Sequence, residues 1–147
     1  MVDDNPGVVE SFARGLRLRG YKVDTRESAE KALDLFEQNP FQYDALVLDL
    51  SMPVEQATVD RFHEAIRKDA QKLREDLRNH SCGTFMHRQF RQMGHAIPVV
   101  ILTNYFAELG SVVFDDDLLQ ILEKSMSPGE LGATIFNMHT RFSRSRR

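Results

Sequence analysis

The chain has 147 residues, of which 41% are hydrophobic and 28% are charged, and its formal net charge is −3 at pH 7. This length and composition predict a single globular domain over residues 1–147, and the small net charge gives no indication of nucleic-acid binding. The sequence lacks an apolar run of membrane-spanning length and a basic start typical of a signal peptide. Its single cysteine, Cys82, excludes an internal disulfide and suits a reducing compartment. Taken together, these properties lead us to expect a cytoplasmic protein without membrane or nucleic-acid partners.

The first part of the chain alternates between helix and strand patterns. Apolar residues at helical spacing predict a helix over residues 8–19, which Gly20 ends. Residues 21–25 alternate between apolar and polar side chains, which predicts a short strand with one solvent-exposed face. Ser28 is typical of the N-cap of a second helix. The continuous apolar run at residues 45–48 then predicts a strand that is buried on both faces.

The last part of the chain repeats this alternation. Residues 99–102 predict a second buried strand, residues 118–122 predict a third, and the apolar spacing from Pro128 onward predicts a closing helix. Strands separated by helices indicate an α/β fold with a parallel sheet and helices on both faces. Ligands then gather at the carboxyl ends of the strands. The arginine-rich residues 141–147 are interpreted as a solvated tail.

Between these two parts lies an insertion near residues 58–93. Residues 54–98 separate two strands, which is more than twice the roughly 20 residues that one crossover helix with short loops needs. Apolar spacing predicts a long helix near 58–79, a break at 80–83 and a short helix up to Met93. Either these helices pack on the sheet as core, or they form a partner-binding hairpin. We expect a homodimer involving residues 58–93.

Polar side chains follow the predicted strands at their carboxyl ends: Asp3 and Asp4, Asp49, Thr103, and Lys124. Carboxylates packed together repel one another unless a cation neutralises them, and oxygen ligands without His or Cys suit Mg2+ better than zinc. The lysine can pair with a bound anion, and the threonine can donate to one of its oxygens. An aspartate nucleophile beside these groups is typical of a site that receives a phosphoryl group.

Four stretches carry a resemblance to the receiver domains of response regulators: VDDNP at 2–6, DALVLDLSMP at 44–53, VVILTN at 99–104 and ILEKSMSP at 121–128. The resemblance covers most of the chain apart from the insertion. It implies a flavodoxin-like, doubly wound parallel sheet of five strands in the order 2-1-3-4-5.

The resemblance also implies a role for each site residue. Asp49 would accept a phosphoryl group from the phosphohistidine of a histidine kinase or phosphotransfer protein in a two-component phosphorelay. Mg2+ would be held by Asp4, Asp49 and the backbone carbonyl of Ser51, with Asp3 assisting. Thr103 and Lys124 would contact the phosphoryl oxygens. The expected protein is a regulatory phosphoacceptor that assists its own phosphorylation and dephosphorylation, and not a conventional enzyme.

The sequence departs from the receiver pattern at four points. Only Met1 and Val2 precede the acid pair, where the pattern has a full apolar strand. Since that strand is central, its neighbours would be left with unpaired backbone groups. We therefore expect that the chain is a trimmed piece, that its reading frame is mis-started, or that another segment completes the sheet. Asn104 replaces a very small residue, Ile121 replaces an aromatic one, and Ser125 replaces a proline.

Two other functional classes compete with this interpretation. A degenerate receiver that binds partners without being phosphorylated is favoured by the short first strand and by Asn104. A haloacid-dehalogenase-like phosphatase would carry its acid pair after the lysine, whereas here the pair comes first. The histidines at positions 63, 80, 87 and 95 match no compact ligand motif and are expected to be exposed. Cys82 has no activating base nearby in sequence and is interpreted as structural.

Overall fold

The computed structural model describes residues 1–39, 42–53, 57, 82–104 and 116–145. In these ranges the elements in chain order are α1 (Pro6–Arg17), α2 (Ala29–Gln38), β1 (Leu46–Asp49), α3 (Cys82–Gln92), β2 (Val99–Thr103), β3 (Leu119–Glu123) and α4 (Pro128–Ser145). The long helix predicted near 58–79 lies outside the described residues. The other predicted helices and the three apolar strands are confirmed, with ends that differ by a few residues.

The three strands form a parallel sheet in the order β1-β2-β3. In this sheet Leu46 lies opposite Val99, and Val99 lies opposite Leu119. Every residue of β1 and β2 is buried, whereas β3 is only partly buried. Continuous apolar runs therefore mark the strands that are covered on both faces, as expected for a parallel sheet.

The segment around Val2 extends this sheet by single bridges on both sides. Val2 pairs in parallel with Leu48 and with Arg26. Its N–H donates to the carbonyl of Val47 at 2.8 Å, and its carbonyl accepts from the N–H of Asp49 at 2.8 Å. The Arg26 segment, Val2, β1, β2 and β3 thus follow one another in the predicted order 2-1-3-4-5.

The strand predicted over residues 21–25 is wrong, because the structure has only the bridge at Arg26 there. A strand forms as part of a ladder, and the Val2 segment offers this stretch a single bridge. The alternating pattern of residues 21–25 is therefore present without the neighbour that would turn it into a strand.

Helices cover both faces of the sheet, so the doubly wound architecture is confirmed. One core cluster joins α2 and α3 to strand residues such as Leu48 and Ile101. The other joins α1 and α4 to the alternate strand residues, Val47, Val100 and Leu102. The alternation follows from the two-residue period of a strand, which points successive side chains to opposite faces. Among the described helices, none combines the length and apolarity that a bilayer crossing requires.

Helix α3 belongs to this core. Phe85, Met86 and Phe90 are fully buried against α2 and the sheet. The core interpretation of the insertion therefore holds for its second helix, and these side chains are not available to a partner. The helix also begins at Cys82, inside the stretch predicted to be a break. Cys82 is buried, burial raises the pKa of its thiol, and the structural interpretation of this residue is supported.

The expectation of exposed histidines is wrong for His87 and His95, which are 6% and 3% exposed. His87 Nε2 lies 2.6 Å from Oδ2 of Asp116, and Nε of Arg91 donates to the same oxygen at 2.7 Å. The N–H of Leu118 donates to the other oxygen of Asp116 at 2.8 Å. These contacts, called the Asp116 cluster below, tie α3 to the start of β3.

The Asp116 cluster makes stability depend on pH. Burial raises the pKa of Asp116, but hydrogen bonds from Arg91, His87 and Leu118 outweigh it and hold the pKa below its ordinary value. A carboxyl group with a lowered pKa stabilises the fold above its unfolded pKa, and this stability is lost as pH falls through the folded pKa. Burial also lowers the pKa of His87, so its protonation below about pH 6.5 favours unfolding as well.

Replacing Asp116 by Asn should therefore lower the free energy of unfolding at pH 7 by about 1–3 kcal/mol, because hydrogen bonds to a charged acceptor are weakened. The difference from the wild type should shrink as pH falls below about 4, where the wild-type carboxylate is itself lost. Urea unfolding across this pH range measures both effects, with the exposed neighbour Asp117→Asn as the matched control. Equal behaviour of the two variants would contradict the assigned role of Asp116.

Candidate functional site

The polar residues predicted to form a site all lie at the carboxyl edge of the sheet. Asp49 is the last residue of β1, Thr103 is the last residue of β2, and Lys124 directly follows β3. Asp3 directly follows the Val2 bridge. Because the strands are parallel, their carboxyl ends meet at one edge, and the structure brings these four residues together there.

Lys124 lies between two of the carboxylates. Its Nζ is 2.9 Å from Oδ2 of Asp3 and 2.9 Å from Oδ1 of Asp49. The side chain of Lys124 is 11% exposed, and those of Asp3 and Asp49 are 0% and 6% exposed. The two ion pairs are therefore shielded from water, where they are stronger than surface pairs and where loss of one partner is costly.

Backbone N–H groups fix the two buried carboxylates. The N–H of Asn5 donates to Oδ1 of Asp3 at 2.9 Å, and the N–H of Ser51 donates to Oδ1 of Asp49 at 3.2 Å. The Asn5 contact exists because α1 starts two residues earlier than predicted, with Asn5 as its N-cap. The start of α1 thus helps to orient the first carboxylate of the site.

The end of β3 is tied to the end of β2 in a similar way. The N–H of Lys124 donates to the carbonyl of Thr103 at 2.9 Å. Thr103 is 1% exposed, whereas the next residue, Asn104, is exposed. The hydroxyl of Ser125 donates to Glu123 at 3.0 Å, away from the buried carboxylates. The ammonium and the threonine are therefore held on neighbouring strands by the sheet itself.

The electrostatics of the site follow from this burial. Burial raises the pKa of Asp3, and the negative charge of Asp49 adds to that shift, although the N–H of Asn5 and Lys124 offset part of it. Burial alone would lower the pKa of Lys124, but its pairs with Asp49 and Asp3 outweigh this and raise it above the ordinary value. Lys124 is thus held in its charged form, and it neutralises part of the carboxylate charge.

Three carboxylates could hold a metal ion. Asp3, Asp4 and Asp49 each offer one oxygen, and these atoms all lie within 4.8 Å of one another. Asp4 is exposed, so the group opens to solvent on its side. Among the described residues, Lys124 is the one cation paired with this acidic group, so within that part of the chain two of the three negative charges are left uncompensated. An all-oxygen donor set with this charge fits Mg2+.

Ser51, the remaining predicted ligand, is exposed in the segment that leaves β1, between the buried residues Leu50 and Met52. Its N–H contacts Asp49, as described above, and its position two residues after the buried carboxylate keeps it beside the site. The structure therefore places every predicted site residue at the carboxyl edge of the sheet.

The contribution of Gly83 was missed by sequence reasoning. Its N–H donates to the carbonyl of Leu50 at 3.1 Å, so α3 begins against the end of β1. A Cβ atom at Gly83 would lie 2.8 Å from the carbonyl oxygen of Asp49. A glycine within a helical pattern can signal such a close backbone approach, whereas the sequence pattern alone predicts a break at residues 80–83.

Proteins of similar sequence were found, although a scan against models of protein families gave no match. The chain is 32% identical over 103 residues to the response regulator MprA of Mycobacterium sp. strain KMS. That match covers 70% of this chain and 33% of MprA. It is 46% identical over 55 residues to the transcriptional regulatory protein PrrA of Mycobacterium leprae. That match covers 37% of this chain and 22% of PrrA. The chain thus spans a third or less of the length of these curated relatives.

A solved structure has the same fold. A response regulator receiver domain protein from Clostridium thermocellum matches with a TM-score of 0.64 at 20% identity, over 97% of this chain and 93% of that chain. The comparisons confirm the resemblance to response-regulator receiver domains. This receiver-like domain therefore has the expected flavodoxin-like fold.

The buried ion pairs of Lys124 predict that the fold is destabilised when its ammonium is removed. Lys124→Met should lower the free energy of unfolding at pH 7 by about 3 kcal/mol, because Asp3 and Asp49 are then left buried and mutually repulsive. Urea unfolding in the absence of divalent ions measures this effect. Lys31→Met is the control, since the ion pair of Lys31 with Glu27 is exposed to solvent and should contribute little to stability. A similar loss in both variants would show that Lys124 does not stabilise the carboxylates.

Proposed function

We propose that the chain is the phosphoacceptor module of a two-component phosphorelay, with Asp49 as the accepting residue. The observation that carries this proposal is the position of Asp49 Oδ1, 2.9 Å from Lys124 Nζ at the edge of the sheet where Asp3 and Asp4 also lie. A nucleophile held beside a fixed cation and a metal-binding acid pair is suited to phosphoryl transfer, because the charge that develops in transfer is offset by preorganised groups.

The proposed reaction moves a phosphoryl group from a phosphohistidine to Asp49. A carboxylate oxygen of Asp49 attacks the phosphorus, a P–O bond forms, and the P–N bond breaks with its electron pair left on the imidazole of the donor. The product is an acyl phosphate on Asp49. Lys124 is already at hydrogen-bond distance from the attacking carboxylate, so it can pair with the incoming phosphoryl oxygens without a large movement.

Mg2+ is the proposed cofactor. Asp3, Asp4 and Asp49 would hold it, with the carbonyl of Ser51 as a further oxygen ligand, and when bound it would supply positive charge to the transferring group. The proposal is supported by the two uncompensated negative charges of the site, which a divalent cation would balance. The exposed Asp4 marks the side from which the ion would enter.

The proposed partner is a histidine kinase or a phosphotransfer protein. Exposed residues surround the buried carboxylates at the carboxyl edge, among them Asp4, Ser51 and Asn104, so a donor imidazole can approach Asp49 from there. A homodimer through residues 58–93 stays a prediction. Residues 58–81 lie outside the described ranges, and α3 uses its apolar face within its own core, so any such contact would involve the part before α3.

The alternative proposal is a degenerate receiver that binds partners without phosphorylation. It is favoured by Asn104, which is exposed directly after Thr103 where the receiver pattern has a very small residue. A larger side chain at this position would slow phosphoryl entry. Incubation with Mg2+ and acetyl phosphate discriminates the two proposals, since the degenerate receiver gains no phosphoryl group.

Asp49→Asn should abolish phosphoryl incorporation, because an amide oxygen is a poor nucleophile and leaves the site without its acceptor. Intact-protein mass spectrometry after incubation with acetyl phosphate and Mg2+ measures the gain of one phosphoryl group. Asp44→Asn is the matched control, since Asp44 is exposed and precedes the same strand at its opposite end. Undiminished labelling of the Asp49 variant would defeat the assignment.

Mg2+ should raise the melting temperature of the wild type more than a monovalent salt at equal ionic strength. A ligand that binds the folded state at 100 times its Kd stabilises it by about 2.7 kcal/mol. Asp4→Asn should remove most of this gain while leaving the metal-free protein close to wild-type stability, because Asp4 is exposed. Asp44→Asn should keep the full gain. If the Asp4 variant responds to Mg2+ like the wild type, the acid pair is not a ligand.

A further inference from the structure

The end of α1 carries a concentration of positive charge. Residues 11–23 contain no acidic side chain but four exposed cations: Arg14, Arg17, Arg19 and Lys22. These four residues are called the α1 basic cluster below. The formal net charge of the chain is −3, and residues 11–23 carry +4, which leaves −7 for the rest of the chain. The α1 basic cluster is therefore a positive surface on an otherwise acidic protein.

Backbone carbonyls hold two of these cations in place. The guanidinium of Arg17 donates to the carbonyl of Val23 at 2.7 Å, and that of Arg19 donates to the carbonyl of Gly15 at 2.9 Å. The bond to Val23 also brings the neighbouring Lys22 to the end of the helix. A carbonyl fixes a guanidinium without neutralising its charge, so these groups are preorganised for an anionic partner.

The charges of the α1 basic cluster are not compensated within the part of the chain that the structure describes. None of its four cations forms an ion pair there. Glu10, which is exposed one turn before Arg14, is not paired with it either. Cations in the last turn of a helix interact favourably with the helix dipole, which gives Arg14 and Arg17 a role in the fold. That interaction still leaves their charges open to a partner.

An exposed apolar side chain lies among these cations. Leu18 is 79% exposed, more than any other large hydrophobic residue among those described. Arg17 and Arg19 flank it in sequence, and Arg14 lies one helical turn before it. A single exposed leucine is common on protein surfaces. A leucine beside preorganised, uncompensated cations instead resembles an interface, where an apolar contact is bordered by polar and charged groups.

We propose that the α1 basic cluster and Leu18 form a docking surface for an acidic segment of another protein that carries an apolar side chain. The carboxylates of the segment pair with the cations, and its apolar side chain packs on Leu18. Other anionic partners fit less well. A nucleic-acid backbone offers Leu18 no apolar contact and is repelled by the rest of the chain, and a membrane surface requires a broader apolar face than one leucine.

This surface lies far from the candidate functional site. α1 is capped by Asn5, whose N–H contacts Asp3, and Leu18 follows Asn5 by 13 positions. At 1.5 Å per residue this places Leu18 about 20 Å along the helix from the carboxylates. A segment bound at the α1 basic cluster therefore leaves the approach to Asp49 open, and its binding does not require the phosphoacceptor chemistry.

Fluorescence anisotropy of a labelled peptide, Asp-Glu-Leu-Asp-Asp-Leu-Glu-Asp, titrated with the full chain measures this binding. The same peptide with serine in place of both leucines is the matched control. It should bind at least about fivefold more weakly, because it keeps the charge and loses the apolar contact. Raising the salt concentration from about 50 to about 300 mM should weaken binding of the leucine peptide by about tenfold or more, since exposed charges are screened.

Variants of the chain test the two parts of the surface separately. Leu18→Ser should weaken binding of the leucine peptide by about fivefold or more, through the lost apolar contact. Arg14→Gln combined with Lys22→Gln should weaken it by about tenfold and reduce its dependence on salt. Lys31→Gln, which removes an exposed cation of α2, is the matched control and should bind like the wild type. All these side chains are exposed, so circular dichroism should show an unchanged fold.

Amide chemical shifts locate the bound peptide, and the largest changes should fall within residues 14–22. The proposal is overturned if the leucine peptide does not bind at low salt, if the serine peptide binds equally well, or if the shifts map elsewhere. Tighter binding of a DNA duplex or of phosphatidylserine vesicles than of the leucine peptide would also overturn it, in favour of a nucleic acid or a membrane. No phosphodonor is present in these experiments, so their outcome is independent of whether Asp49 is phosphorylated.

Discussion

The site depends on one ammonium shared by two buried carboxylates. Asp3 and Asp49 come from separate parts of the chain, and both lie 2.9 Å from Nζ of Lys124. Without that charge, two nearly inaccessible carboxylates would repel each other in a medium of low dielectric constant. The parallel sheet satisfies this constraint by ending β3 directly before Lys124 and β1 at Asp49. The remaining negative charge, which includes the exposed Asp4, is what makes the site suited to a divalent cation.

Much of this arrangement could be predicted because buried parallel strands have a recognisable sequence pattern, a continuous apolar run. The apolar runs before Asp49 and Thr103 mark strands buried on both faces, and the residue after each run must lie at the carboxyl edge. Placement of the acids, the threonine and the lysine at one edge therefore needed only the order of the elements. Their distances could not be predicted, since these depend on the N-cap at Asn5 and on the close approach of Gly83 to β1.

Other features depend on contacts between residues that are distant in sequence. His87 shows no ligand spacing, and its burial against Asp116, 29 positions away, has no local signal. The strand pattern at residues 21–25 shows the opposite case. The local pattern is present, but strand formation also requires a neighbour, and the Val2 segment provides a single bridge. Local preference and tertiary pairing have to agree before a strand forms, and here only the first is satisfied.

Val2 positions the first carboxylate of the site. Its hydrogen bonds to Val47 and Asp49 hold the Met1–Asp3 segment in place, and they also place Asp3 beside Lys124. On its other side Val2 pairs with Arg26. The position of the first carboxylate therefore depends on the backbone pairing of Val2 as well as on the ammonium of Lys124.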